Sequence, residues 1–334
     1  MALATLLLAS RSWLAACGSS PAPEADAGSA ERAPSAAPTS PAPPPPPAPP
    51  PPPPTPTTPA PVDAGPVRDA DADASPGSPC NGAPQLCARR FNEVAYVTSH
   101  NAMSNSADRF IAPNQNRSMT RQLEHGVRGL MLDTYPFLGS TYLCHANCAI
   151  GATPLVAGLA QIRAFLEASP REIVTIIFES YIPAADARQA FVAAGLEPML
   201  HAQPQGAPWP TLGDMIASGK RLVVFTDNGG GAYPWYHAVW SHAWETPYSY
   251  RTPGEMQCVM NRGNQANALF IFNHFLTNPI ASELLARQVN FNPFLSQRAN
   301  ACRTTFGKLP NFVTVDFEDI GDVVSVVRGL NGLP

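Results

Sequence analysis

Proline is distributed so unevenly that it divides the chain into a part that cannot pack on itself and a part that can. The sequence has 334 residues and 39 prolines, and 22 of these prolines lie between Pro21 and Pro79, among Ala, Ser, Thr and Asp. Such a segment has almost no bulky apolar side chain to bury, so nothing offsets the entropy that ordering would cost. We therefore predict a disordered linker over residues 17–79, in which Pro41–Pro56 favours a polyproline II spacer of roughly 50 Å.

Residues 80–334 form the part that can fold. Their number, 255, matches the roughly 250 residues from which an eight-stranded α/β barrel is usually built. The net charge of -4 and the lack of any basic run argue against a nucleic-acid partner. No apolar run approaches the roughly 18 residues of a membrane span. The expectation is a monomeric domain with an ordinary surface.

The first seventeen residues have features of an export signal. Residues 1–16 are apolar, and Leu14-Ala15-Ala16-Cys17 resembles the bacterial lipobox, in which a signal peptidase cuts before a lipidated cysteine. There is no basic start, and Arg11 interrupts the apolar stretch, so a degraded signal peptide with an incidental cysteine is the alternative. We expect export, with Cys17 anchoring the protein to the bacterial cell envelope, at the outer membrane, or release to the extracellular space.

Six further cysteines form an even set, as expected for disulfides made in an oxidising compartment. Short separations favour pairing Cys80 with Cys87 and Cys144 with Cys148, because small loops close at little entropic cost. The sequence alone does not fix the connectivity, since six cysteines allow 15 pairings. Zinc ligation is disfavoured because no second cysteine pair has zinc-finger spacing.

Apolar runs rich in β-branched and aromatic residues alternate with helical patterns, which is typical of a parallel sheet covered by helices. Six runs are predicted to be strands: Val94–Ser99, Val127–Leu132, Ile173–Phe178, Arg221–Thr226, Ala268–Phe272 and Phe312–Val315. Leu155–Leu166 has apolar residues at helical spacing, and Ser118–His125 is a shorter predicted helix, closed by Gly126. The two strands that would complete a barrel are expected at Tyr142–His145 and within Ala238–Tyr250.

Polar side chains stand where the predicted strands end. They are His100 with Asn101, then Asp133, Glu179, Asp227, Asn273 with His274, and finally Asp316. One polar strand end merely returns the chain to solvent, but six in succession place carboxylate, amide and imidazole groups on one rim. In an α/β barrel this rim, at the carboxyl ends of the strands, carries the active site.

The residue types on this rim suit cleavage of a phosphodiester. His100 and a second histidine, His145, have ordinary pKa values of about 6.5, so one ring can accept a proton while the other donates one. Asn101, Asp133 and Glu179 supply the hard oxygen ligands that Ca²⁺ or Mg²⁺ takes, which would bring positive charge to a phosphoryl group. Four other histidines are expected to be structural: His125, His201, His237 and His242.

At this point a series of motifs resembles the X domain of the phosphatidylinositol-specific phospholipase C family. The motifs are Thr98-Ser99-His100-Asn101, Gly126–Asp133, Leu143-Cys144-His145, Ala168–Glu179, Arg221–Asp227, Asn261-Arg262, Phe272–Phe275 and Pro310–Asp322. They span nearly all of residues 80–334 and look like the secreted or anchored X-domain proteins of plants, fungi and bacteria. The resemblance also supports pairing Cys258 with Cys302.

The resemblance implies an α/β fold, a distorted TIM-type (β/α)8 barrel, and a phosphoric diester hydrolase acting on a phospholipid or inositol phosphodiester. In that family the inositol 2-hydroxyl attacks phosphorus, which gives diacylglycerol and a cyclic inositol phosphate. The resemblance implies that His100 acts on the attacking hydroxyl of the substrate and that His145 is the general acid. It also implies that Asp316 orients His100. Three residues match the calcium ligands of the metal-dependent members: Asn101, Asp133 and Glu179.

One position departs from the metal-dependent pattern. Where those enzymes carry a carboxylate two residues before the aspartate, this chain has Met131, on the same strand face as Asp133. A divalent metal, Ca²⁺ first, is still expected, but with one ligand and one charge fewer. Two other functions stay open: a non-catalytic surface lipoprotein that uses the barrel as a binding module, and a glycerophosphodiesterase-like enzyme, whose paired Glu and Asp after the first histidine are not found here.

Overall fold

The computed structural model describes residues 78–334. The predicted signal segment 1–16, Cys17 and the predicted linker up to residue 77 lie outside the described residues. The strands of the described part are β1 Tyr96–Ser99, β2 Val127–Phe137, β3 Ser140–Leu143, β4 Thr153–Pro154, β5 Val174–Ser180, β6 Leu222–Thr226, β7 Tyr236–Ala238, β8 Ala243–Glu245, β9 Leu269–Asn273 and β10 Phe312–Val315. Its α-helices are α1 Met119–Glu124, α2 Leu155–Ala168, α3 Ala184–Ala193, α4 Leu212–Ala217, α5 Val239–His242, α6 Glu283–Val289, α7 Phe294–Phe306 and α8 Val323–Leu330.

Eight of the strands lie side by side and parallel, in the order β7-β6-β5-β2-β1-β10-β9-β8. Apart from β3 and β4, which are not part of this row, the strands follow one another in chain order around the barrel. The first strand, β1, lies beside the last, β10. Within residues 78–334 the ring stays open between β7 and β8, which the short helix α5 connects without strand pairing. No α-helix lies between β6 and β7 or between β8 and β9, both fully described segments. The predicted α/β class and distorted TIM-type barrel are confirmed.

Side chains of the barrel strands alternate between the lumen and the surrounding helices, as the two-residue period of a strand requires. In β2, Leu130 and Leu132 pack in the cluster that contains side chains of α1, α2, α3, α7 and α8, whereas Met131 packs against a second cluster, in the lumen. The same alternation puts Ile177 of β5 in the lumen. It therefore directs Asp133, the next odd-numbered residue of β2, into the lumen at the carboxyl end of the barrel.

The six predicted strands are all present, and their amino ends differ from the predicted ones by at most two residues. The largest difference is at the carboxyl end of β2, which continues to Phe137. Both predicted helices are found, as α1 and α2, and α1 is followed by Gly126 at a φ of 110°. The periodicity of apolar residues and the residues that end helices were therefore sufficient to predict these strands and helices.

The assignment of Tyr142–His145 as a barrel strand is wrong. The chain turns back at Leu138 and Gly139, with φ angles of 47° and 74°, and a two-residue turn of this kind makes a β-hairpin. As a result β3 pairs antiparallel with the extended end of β2 and does not enter the ring. Both remaining barrel strands come from the later region, where β7 and β8 flank α5 and only β8 lies wholly within the predicted range.

Three disulfides cross-link the domain with the expected partners. They are Cys80–Cys87, Cys144–Cys148 and Cys258–Cys302. The second holds the loop that follows β3, and the third ties helix α7 to the long β8–β9 connection.

Candidate active site

Two adjoining cavities open at the carboxyl ends of the strands. The inner cavity, of about 390 Å³, is lined by the lumen residues Met131, Ile177 and Ile271 and, on another side, by Trp240, Glu245 and Arg262. The outer cavity, of about 900 Å³, reaches Ile150 and Ile280 on the surface. Four predicted site residues line both cavities: His100, Asn101, Asp133 and Glu179. His145 lines the outer cavity only, so the predicted residues converge where the two cavities meet.

His100 is held from two sides. Its Nδ1 lies 2.9 Å from Oδ1 of Asp316, which is buried and also accepts a hydrogen bond of 3.0 Å from the Asn114 amide. The ring of Phe275 stacks on the imidazole at 3.9 Å, with 10° between the planes. When Nδ1–H donates to Asp316, the other ring nitrogen, Nε2, is the proton acceptor. The sixth predicted site residue therefore lies behind His100 and fixes its orientation.

Gln115 ties together the ends of β1 and β10, which carry this pair. Its amide nitrogen donates to the carbonyl oxygens of His100, at 2.7 Å, and Val315, at 3.1 Å. Its amide oxygen accepts from the backbone N–H of Glu318 at 2.9 Å. Gln115 is fully buried, so the spacing of the two strand ends is fixed by packing as well as by hydrogen bonds.

His145 lies on the loop after β3, inside the small ring closed by the Cys144–Cys148 disulfide. Burial lowers the pKa of this histidine, and the neighbouring His100 lowers it further, while Asp316 and Glu179 act in the opposite direction. A histidine of lowered pKa gives up its proton readily. Both imidazoles line the outer cavity, and the local environment makes protonated His145 a stronger acid.

Three carboxylates lie in one row across neighbouring strands. Asp133 and Glu179 are register partners in β2 and β5, and Asp227 follows Thr226 of β6, the register partner of Phe178. Asp133 is only 5% exposed, and burial, together with the charges of Glu179 and Asp227, raises its pKa well above the ordinary value. The row brings Asp133 and Glu179 together at the junction of the cavities, with Asp227 beside them in the inner cavity.

These residues suit a divalent cation. The side chains of Asn101 and Asp133 are both more than nine-tenths buried, line both cavities and have no hydrogen-bond partner among residues 78–334. Amide and carboxylate oxygens beside uncompensated negative charge are the donors that Ca²⁺ and Mg²⁺ prefer. No group of three or more His, Cys, Asp or Glu side chains within the described range is arranged to hold a metal. Substrate or water oxygens would therefore have to complete the coordination.

Met131 and Asp133 both line the inner cavity, so they share a strand face as their spacing predicts. The thioether of Met131 occupies a place where the metal-dependent pattern has a carboxylate. Glu179, a further predicted ligand, accepts a hydrogen bond from the Tyr181 hydroxyl, and the Tyr181 ring stacks on Tyr135 at 4.3 Å. An aromatic pair thus borders the row on the side of the outer cavity.

The remaining histidines lie away from the cavities. His274 follows β9 but faces outward, where its Nε2 donates to the Val289 carbonyl at 2.9 Å, and burial together with Arg298 lowers its pKa to about 3. His237 bonds the backbone on both sides of its ring. The other three histidines outside both cavities are His125, His201 and His242.

Sequence reasoning missed a group on the far wall of the inner cavity. Nε of Arg262 donates to Oε1 of the buried Glu245 at 2.5 Å. The guanidinium lies 4.5 Å from the ring centre of Trp240 and 4.6 Å from that of Tyr248. The available signal was the Asn261-Arg262 motif, but β8, which carries Glu245, could not be placed from the sequence.

Comparison with known proteins agrees with this architecture. The family model described as PI-PLC X 1 matches residues 86–331. A PI-PLC X domain-containing protein of Arabidopsis thaliana is 30% identical over 293 residues, which cover 80% of this chain and 67% of the relative. PI-PLC X domain-containing protein 1 of Arthroderma benhamiae is 28% identical, over 76% of this chain and 90% of the relative. A secreted protein of the same fungus is 28% identical, over 73% of this chain and 61% of the relative.

Solved structures give the same fold. A phosphatidylinositol-specific phospholipase C of Staphylococcus aureus superposes with a TM-score of 0.53 at 14% identity, over 74% of this chain and 95% of that one. At such low identity the likeness shows a shared fold and nothing about substrate. Across residues 78–334, none of the helices combines the length and apolar character needed to span a bilayer.

Proposed function

Because the chain belongs to the PI-PLC X family, whose model covers residues 86–331, we propose that it is a phosphoric diester hydrolase that cleaves the phosphodiester of a phospholipid. The observation that carries this proposal is the placement of two histidines at one cavity junction, where His100 bonds the buried Asp316 through Nδ1. Two imidazoles of this kind can serve as base and acid in one displacement at phosphorus.

The proposed reaction uses Nε2 of His100, the ring nitrogen that the bond to Asp316 leaves free, as the base and the imidazole of His145 as the acid. Nε2 of His100 removes the proton from a headgroup hydroxyl, whose oxygen forms a new bond to phosphorus. As the bond from phosphorus to the glycerol oxygen breaks, His145 donates its proton to that leaving oxygen. The products are diacylglycerol and a cyclic phosphate of the headgroup. Asp316 acts as a positioning residue, because its hydrogen bond keeps the proton of neutral His100 on Nδ1.

The two cavities suggest how the bound substrate is oriented. His145 lines the outer cavity alone, so the leaving group belongs there. That cavity reaches Ile150 and Ile280, which are 38% and 55% exposed, so a diacylglycerol would meet apolar side chains at the surface end of the cavity. The inner cavity, which is smaller and more polar, then receives the headgroup.

A divalent cation would be held by Asn101, Asp133 and Glu179, with Ca²⁺ as the first candidate. When bound, it supplies positive charge for the phosphoryl oxygens. The chain's own residues supply the acidic row that would attract the cation and the two histidines that move protons. Met131 makes this site one carboxylate poorer than the metal-dependent pattern, so we expect weak binding that chelator reverses.

The test is turnover of the purified protein on a panel of phospholipids, with and without a chelator. Replacing His100 or His145 by Ala should abolish most turnover, whereas His201→Gln, at a histidine outside both cavities, is the matched control. Activity that survives a strong chelator but needs both histidines would refute the metal and leave the acid–base pair standing. A folded protein that binds phospholipid yet turns over none of the panel would instead be a binding module.

Export and membrane attachment complete the proposal. One relative is named a secreted protein, and the three disulfides of this chain suit an oxidising compartment. A lipid on Cys17 would hold the enzyme, a monomer, beside its phospholipid substrate in the cell envelope. Incorporation of labelled palmitate into the full chain, and its loss in Cys17→Ser, tests the anchor.

A further inference from the structure

The two histidines of the outer cavity are held in different ways. The imidazole of His100 is bonded to Asp316 on one side and stacked on Phe275 on another. The imidazole of His145 has neither a hydrogen bond nor a stacked ring among residues 78–334. Its position at the cavity wall therefore depends on the backbone that carries it.

That backbone is part of a small covalent ring. The disulfide joins Cys144, directly before His145, to Cys148, so that only two residues separate the histidine from the second cysteine. Inside the ring the N–H of Asn147 donates to the carbonyl of His145 at 2.6 Å, and Ala146 has a φ of 58°. A residue other than glycine keeps this left-handed conformation only where the surrounding structure imposes it.

One end of the ring is anchored at the site, and the other lies near the surface. Cys144 is fully buried, and its N–H donates to the carbonyl of Asp133 at 3.3 Å. Cys148 is half-buried and begins the single helical turn Cys148–Ile150. The bond between the two sulfur atoms thus ties the half-buried loop that carries His145 to the buried end of the hairpin.

The size of the ring argues against a role in stabilising the whole domain. A disulfide stabilises mainly by restricting the unfolded chain, and this effect grows with the length of the loop that it closes. The Cys144–Cys148 bond joins residues 4 positions apart, against 7 and 44 for the other two disulfides. It therefore restricts the unfolded chain least of the three, while its local effect falls on His145.

We propose that the Cys144–Cys148 disulfide is a positioning device for His145, which holds the imidazole at the wall of the outer cavity in place of a hydrogen bond. The site is then complete only after the disulfide has formed. In that step the two thiols pass two electrons and two protons to a disulfide-bearing oxidant, which becomes two thiols. The inference rests on the proposed function only for the role of His145 as the acid.

A matched pair of variants tests the effect on turnover. Cys144→Ser, Cys148→Ser should lower kcat on phosphatidylinositol by about tenfold to a hundredfold with little change in KM, the scale of a lost orienting partner. Cys80→Ser, Cys87→Ser also removes a disulfide with a short loop, but one that borders neither cavity, and it should keep kcat within about twofold. Circular dichroism reports whether each variant is folded.

The pKa of His145, measured by NMR on the full chain, reports its position without turnover. Burial and His100 lower this pKa in the wild type. Once the loop is released into water, the pKa should rise to about 6.5, the ordinary value for histidine. The Cys80→Ser, Cys87→Ser variant should keep the wild-type value.

A measurement on the wild type covers the case in which the double variant does not fold. Partial reduction by a small dithiol, followed by alkylation and peptide mapping, gives the fraction of each disulfide that is open. The loss of turnover should follow the opened fraction of Cys144–Cys148 and should reverse on reoxidation. Loss that follows the Cys80–Cys87 or Cys258–Cys302 fraction instead would contradict the proposal.

A folded Cys144→Ser, Cys148→Ser variant in which His145 keeps its wild-type pKa would overturn the proposal, as would equal losses of kcat in the two double variants. A protein in which the pKa of His145 rises as expected, but which hydrolyses no phospholipid, would keep the positioning role and refute the hydrolase. The two claims therefore fail independently.

Discussion

Two histidine–carboxylate pairs take their carboxylates from residues two positions apart, and the pairs differ in what surrounds them. The segment after β10 provides both carboxylates, Asp316 and Glu318, which are 3% and 1% exposed. Asp316 bonds Nδ1 of His100, and Glu318 bonds Nδ1 of His125. By burial of the carboxylate and by the ring nitrogen that bonds it, the two pairs look alike.

The difference lies on the far side of each imidazole. His100 faces both cavities and stacks on Phe275. His125 lines neither cavity, and its carboxylate also pairs with Arg117 at 3.5 Å. The backbone turns at Phe317, with a φ of 48°, so the two carboxylates do not continue along one strand face. A histidine–carboxylate pair is therefore not a catalytic signature by itself; access of the free ring nitrogen to a cavity separates the two.

The largest expected effect comes from the imidazoles themselves. His100→Ala should lower turnover by about 10²–10⁴-fold, the range for loss of a positioned general base, with the fold retained. His125→Ala should leave turnover within about threefold of wild type, because this ring does not reach the substrate. Steady-state rates on phosphatidylinositol, with circular dichroism as the folding control, make the comparison. Equal losses in both variants would show that the distinction drawn here is wrong.

Replacing Asp316 and Glu318 tests the same difference between the two pairs, with a smaller expected loss of turnover. Asp316→Asn keeps the shape but no longer fixes the proton of His100 on Nδ1, and a loss of about 10–100-fold is expected, as for other orienting residues. Since this is a positioning effect, kcat should fall more than KM rises. Glu318→Gln, at the other pair, should keep kcat within about twofold. If Glu318→Gln proves the more damaging to kcat, the segment after β10 works as one network.

The pH dependence of kcat/KM distinguishes the His100 pair from the His125 pair, because His145 acts only with His100. His145, which has no counterpart near His125, has a pKa lowered by burial and by His100. A general acid works only while protonated, so kcat/KM should decline on the alkaline side from a pH below about 6.5, by about tenfold per unit. The His125→Ala variant should show the same decline, whereas His145→Ala should lack it. A pH profile in which His125→Ala removes this limb would contradict the assignment.

The polar residues at the carboxyl ends of the strands could be predicted because the local pattern of apolar and polar residues indicates where each strand ends and which side chains share a face. The alternation that carries Asp133 into the lumen also explains why His274 is turned away: Asn273 lines the inner cavity, so the next residue faces out. The sequence predicted His145 as a site residue but placed it on a barrel strand. The hairpin that removes this segment from the barrel depends on the backbone angles of Leu138 and Gly139, which the sequence pattern did not reveal.

The far wall of the inner cavity was beyond sequence reasoning. Glu245 lies on a three-residue strand, too short to show a period, and its partner Arg262 lies 17 positions further along the chain. Its pairing depends on how that connection folds over the barrel. Tertiary contacts of this kind have no local pattern from which they could be predicted.

The most direct test of the central claim is the ³¹P NMR spectrum of the products formed from phosphatidylinositol. Attack by a headgroup hydroxyl, with His100 as base and His145 as acid, predicts that the cyclic inositol phosphate resonance appears first. It predicts that this resonance is absent over the same time in His100→Ala and His145→Ala, and that His125→Ala produces it at the wild-type rate. Cleavage that gives only a linear phosphate from the start, or cyclic product at undiminished rate in either cavity variant, would contradict the account.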